Sequence, residues 1–95
     1  MAKVAREESG AHSFHCPGCK HLHVFHMTMT DGSPGWTFNA DFDKPTFTPS
    51  LLNRTRTTRC HLYMREGMIE FLNDCTHELA GQTVECPDRN EEKQC

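Results

Sequence analysis

Two cysteines flanking a Pro-Gly pair, Cys16-Pro17-Gly18-Cys19, are the residues of this chain best spaced for chemistry. The Pro-Gly pair bends the backbone so that both sulfurs face one point. That supplies half of a tetrahedral Zn2+ site. Cys60 and Cys75 are the expected other half, which makes a four-cysteine site of zinc-ribbon type. A redox Cys-x-x-Cys wants its first cysteine at a helix start, and Pro17-Gly18 followed by a strand pattern argues against that. Cys86 and Cys95 fall outside the pattern and read as non-ligands.

The histidines compete for the same chemistry. His77 follows Cys75 by two residues and is the alternative ligand, replacing Cys60 or Cys75. His61 adjoins Cys60, and His21-x-His23 puts two imidazoles on one strand face. A second, open metal site built from His23, His61 and His77, with Asp74 or Glu70 as base, would make a metal-dependent hydrolase. Such a site keeps one coordination position for water. Arg54, Arg56 and Arg59 form a candidate nucleic-acid contact, with Trp36, Tyr63 or Phe47 available for base stacking. No glycine-rich phosphate loop is present, and no Ser-His-Asp arrangement stands out by its spacing.

The elements that must position these residues read as strands. Residues 21–29 alternate with β-branched and aromatic content. Asp31-Gly32-Ser33-Pro34-Gly35 is a turn, and residues 36–40 alternate again, with Trp36, Phe38 and Ala40 inward. Lys44 to Ser50 lies between prolines, which cannot donate to a sheet ladder, so an edge or connector is expected there. Residues 59–65 and 68–73 form a hairpin about Glu66-Gly67. Pairing Leu62 with Phe71 and Met64 with Ile69 puts Cys60 and Cys75 on the apolar face. His61, Tyr63, Glu70 and Asp74 fall on the other face. Thr76 to Gly81 has the cap and stop residues of one helical turn, and residues 82–86 read as a last short strand.

Ninety-five residues with 36% hydrophobic content and a net charge of −3 make one small, lean domain. A core of that size usually needs a staple. Six cysteines and seven histidines offer one. No run approaches the length of a membrane span and no signal peptide pattern opens the chain. A cytoplasmic setting is therefore expected, with thiols reduced and available as ligands. The expected organisation is a flexible segment over 1–11, a single zinc-binding domain over 12–87 and a charged flexible tail over 88–95.

Several stretches in fixed order carry a family resemblance. They are Phe14-His15-Cys16-Pro17-Gly18-Cys19, Gly35-Trp36-Thr37-Phe38-Asn39, Lys44-Pro45-Thr46-Phe47-Thr48-Pro49-Ser50-Leu51, Arg59-Cys60-His61 and the run from Asp74-Cys75-Thr76-His77 to Val84. The chain resembles a family of small phage and prophage proteins that often carry the label ammonia monooxygenase. That label implies nothing for a chain this short. The resemblance implies a phage-encoded, zinc-binding protein in the cytoplasm of an infected bacterium, and it draws attention to His61 and His77.

Together these observations lead to a small β-rich, zinc-ribbon-like domain of two antiparallel hairpins, a Cys-x-x-Cys knuckle and at most one short helix. The expected function is that of an accessory protein, with structural zinc, that binds and modulates a host bacterial protein. A metal-dependent hydrolase and a nucleic-acid-binding ribbon are the alternatives.

Overall fold

A computed structural model describes residues 2–29 and 31–88. The expected small β-rich fold is found: two antiparallel sheets, with no helix among the described residues. The first sheet has three strands in the order β1 (Ala5–Arg6), β2 (His12–His15), β3 (Leu22–Phe25). The second has five in the order β4 (Thr37–Phe38), β5 (Phe47–Arg54), β6 (Arg59–Arg65), β7 (Met68–Phe71), β8 (Thr83–Glu85). No helix of the described residues is long and apolar enough to cross a membrane.

The β6–β7 hairpin has the register that its apolar pattern dictates, with Leu62 opposite Phe71 and Met64 opposite Ile69. Its two-residue loop requires positive φ at both positions, and Glu66 and Gly67 adopt φ of 50° and 80°. Leu62, Met64, Ile69 and Phe71 are all buried. An aromatic column joins the two sheets across this core. Phe14 and Phe25 of the first sheet stack at 5.4 Å, and Phe25 meets Phe47 of the second at 4.0 Å with nearly parallel rings. Phe38 continues the stack beyond Phe47 at 4.5 Å.

Three expectations need correction. The N-terminal segment over 1–11, taken as loose because it is polar, contains β1 and buries Val4 at 1% exposure. The Pro-bounded stretch from Lys44, expected as an edge or connector, leads directly into β5, an eight-residue strand between β4 and β6. Pro49 is accommodated because the β5–β6 register shifts between Phe47 and Leu51, so the ladder does not need its missing N–H. Residues 76–81 make turns rather than a helical turn. Apart from Asp88, the tail expected over 88–95, including Cys95, lies outside the described residues.

Candidate active site and metal centre

Ser50, Leu52 and Arg54 alternate along the outer face of β5. Leu52 lies opposite His61 and Arg54 opposite Arg59 on β6. The core-facing neighbours Leu51, Cys60 and Leu62 are buried. This alternation turns Ser50 and His61 toward each other on the solvent side. Ser50 Oγ lies 3.2 Å from His61 Nε2. On the other side of the ring, His61 Nδ1 lies 3.2 Å from Asp74 Oδ2, in the turn that follows β7. A carboxylate only accepts, so Nδ1 carries the ring proton and donates to Asp74. In the neutral ring Nε2 is then the acceptor, and the Ser50 hydroxyl donates to it. The three side chains form one hydrogen-bonded line, with His61 a quarter exposed and open to a ligand.

The backbone around this line is held at each member. Trp36 Nε1 donates to the Ser50 carbonyl at 3.2 Å. Leu72 N donates to His61 O at 2.9 Å. Cys75 grips the same residue: its Sγ accepts from His61 N and donates to His61 O, both at 3.2 Å. Arg59 Nη1 lies 3.5 Å from the Asp74 oxygen that receives His61. Partial desolvation pushes the Asp74 carboxyl upward. The hydrogen bond from His61, its own backbone amide and the charges of His61 and Arg59 outweigh that push and hold it below the usual carboxylate value.

The thiols gather on the opposite face of β6. Cys16 ends the lead from β2, Cys19 closes the knuckle, Cys60 sits on β6, and His77 follows the turn after β7. Their ligand atoms all lie within 4.8 Å of one another, close enough to bind a metal ion. Cys16 Sγ is 3.7 Å from Cys60 Sγ, and His77 Nε2 is 3.4 Å from Cys60 Sγ. The Cys19 amide donates to Cys16 Sγ at 3.4 Å. A Cβ built on Gly18 would run into the His77 ring, so the knuckle is shaped for that imidazole. The hydrogen bond from Cys60 holds the Cys16 thiol well below its usual value against the opposing push of burial, and His23 adds to this. The same contact, with burial, pushes Cys60 up, and burial likewise raises Cys19. The three thiols around one point thus compete for charge, which a divalent cation would relieve.

The residues named from sequence therefore separate into three places. Cys16, Cys19 and Cys60 come together with His77, the alternative ligand. Cys75 sits outside that group of four because its sulfur is committed to the His61 backbone. His23 is buried beside Cys16, and His61 faces Ser50 and Asp74. The open metal site imagined from His23, His61 and His77 is thus not assembled, because the two faces of β6 send His61 and Cys60 to opposite sides. Arg54, Arg56 and Arg59 line a groove with Asp74 and Thr76. Ser50 is the residue that sequence reading missed. The signal that would have found it was the pairing of β5 with β6, concealed by the two prolines around Phe47.

A family model described as the bacterial ubiquitination-like system serine protease (BubE) matches residues 1–72 of the 95. The match includes Ser50 and His61 and ends just before Asp74 and His77. No curated protein and no solved structure matches the chain. The family match overturns the expectation of a phage accessory protein that modulates a host protein. The family is described by a bacterial ubiquitination-like system and by a protease activity, and nothing in it speaks of phage.

Proposed function

This chain belongs to the BubE family of bacterial ubiquitination-like system serine proteases, and from that premise we propose that it cleaves peptide bonds in proteins of such a system, with Ser50 as nucleophile. The observation that carries the reading is the unbroken line from Ser50 Oγ through His61 to Asp74. Ser50 Oγ attacks the scissile carbonyl carbon as its proton passes to His61 Nε2. The C–N bond then breaks, the leaving amine takes that proton, and an acyl-Ser50 ester remains. Water gives a proton to the same Nε2 as it attacks the ester; the acyl C–Oγ bond breaks, Ser50 Oγ takes that proton back, and the carboxylic acid is freed. Asp74 fixes the Nδ1–H tautomer and stabilises the imidazolium while it lasts. The chain order Ser50, His61, Asp74 is no obstacle, because such triads are defined by geometry and not by sequence position.

Cys16, Cys19, Cys60 and His77 would hold a Zn2+ ion. Three thiolates and an imidazole are a donor set that this ion prefers in closed, structural sites. Ligation through His77 Nε2 would require the ring proton on Nδ1, which now accepts from the Leu79 amide at 3.2 Å. The centre ties the knuckle of the first sheet to β6 of the second, and Cys60 is the immediate neighbour of His61. A metal bound there would clamp the strand that carries the base.

Cleavage of a quenched fluorescent peptide library, with zinc content measured on the same samples, tests both halves. Ser50→Ala and His61→Ala are expected to lower turnover at least on the order of a thousandfold and to retain one zinc per chain. Full activity in Ser50→Ala would overturn the assignment of the nucleophile.

A further inference from the structure

The net charge of the chain is −3, yet one end of the outer face is strongly basic. Arg54, Arg56 and Arg59, with Thr55, Thr57, Thr58 and Thr76, line a groove of about 400 Å3. The carboxylate on its wall is that of Asp74, which already faces both His61 and Arg59. The groove therefore offers Arg54 and Arg56 to an incoming group. The loop that carries them is preset by its own hydrogen bonds. Thr55 N donates to Thr58 O at 2.9 Å, while Thr57 N and Thr58 N donate to Thr55 Oγ1 at 3.2 and 3.1 Å.

The groove is also in line with the nucleophile. Ser50, Leu52 and Arg54 follow one another along one face of β5, so Arg54 stands about 13 Å from Ser50 at the usual rise of a strand. An extended peptide covers that distance in roughly four residues. Between the two points lies Leu52, an apolar side chain 45% exposed. β5 is flanked by β4 and β6, so a substrate here lies across its side chains and does not pair with its backbone.

We propose that the groove of Arg54 and Arg56 is a substrate subsite for a carboxylate about four residues from the cleaved bond. The inference rests on Ser50 being the nucleophile. Guanidinium groups recognise carboxylates through paired, charge-assisted hydrogen bonds. A protein segment with an acidic residue at that distance, or one that ends there in a free α-carboxylate, supplies the group.

Binding to the Ser50→Ala protein tests the subsite without relying on cleavage. The probes are fluorescein-labelled octapeptides that differ only in Glu or Gln at one position, each made with a free or amidated C-terminus, and a single-stranded oligonucleotide. A Glu peptide is expected to bind about tenfold more tightly than its Gln partner. The preference should weaken with salt and vanish in Arg54→Ala/Arg56→Ala. A requirement for the free C-terminus instead of Glu identifies the α-carboxylate as the group bound, and supports the same subsite. Equal binding of all peptides, or tighter binding of the oligonucleotide, overturns the proposal. With Ser50 present, cleavage of the library with no preference for acidic residues overturns the subsite alone. An absence of cleavage in the presence of acid-selective binding removes the nucleophile and leaves the groove.

Discussion

At Ser50, His61 and Asp74 the protonation states decide the chemistry. The reaction needs Nε2 free to accept a proton, so it needs a neutral imidazole. Asp74 is held below the usual carboxylate value. The stability it contributes is fully present above the unfolded value of about 3.9 and is lost only as pH falls through its lower folded value. Mild acidification therefore leaves Asp74 ionised, and a loss of activity there belongs to a group other than this carboxylate. In Asp74→Asn, kcat is expected to fall on the order of 10^4-fold as the ring loses its preferred tautomer. The acid limb of the pH–rate profile should persist at that reduced rate. A limb that disappears with the carboxylate would assign it to Asp74. His61 and Asp74 were legible as residues of one hairpin face. Ser50 was not, because nothing local marks which strand a Pro-bounded segment joins.

The two faces of β6 separate the Ser50–His61–Asp74 line from the cysteine–histidine cluster. Cys60 points inward to the knuckle, and His61 points outward to Ser50. Alternation along a strand makes that division unavoidable. It was visible in the apolar pattern of residues 60–71, which fixed the hairpin register. The choice between Cys75 and His77 was not visible, because β7 ends at Phe71 and a turn breaks the alternation before Cys75. The consequence is testable by metal analysis. Cys60→Ala and His77→Ala should lose zinc. Cys75→Ala should retain it and lose turnover, because the His61 backbone loses its sulfur contacts. Loss of zinc in Cys75→Ala would return that cysteine to the ligand set. Gly18→Ala should weaken metal binding, since its methyl group meets the His77 ring.

Across the whole molecule, two small sheets are held by an aromatic stack and by the cysteine–histidine centre. Truncating Phe47, fully buried in the middle of the stack, should cost about 3–5 kcal/mol. Chelation acts on the other tie. An ion at a thousandfold over its Kd stabilises by about 4 kcal/mol, which is roughly 15–30 °C in Tm for a domain of this size. Chelator should lower Tm by that order, and activity should fall with folding and not before it. An early loss of activity in a still-folded protein would give the metal a direct part in catalysis. The β-rich class and the need for a staple were readable from composition and cysteine spacing. The proposed active site was not, because its three side chains come from three separate segments. The most direct test of that meeting point is covalent labelling with a fluorophosphonate, followed by mapping of the adduct. The expected result is a single adduct on Ser50 in the wild type, absent in Ser50→Ala and strongly slowed in His61→Ala. An adduct on another residue, or labelling that is indifferent to His61, would contradict the assignment of Ser50, His61 and Asp74 as the active site.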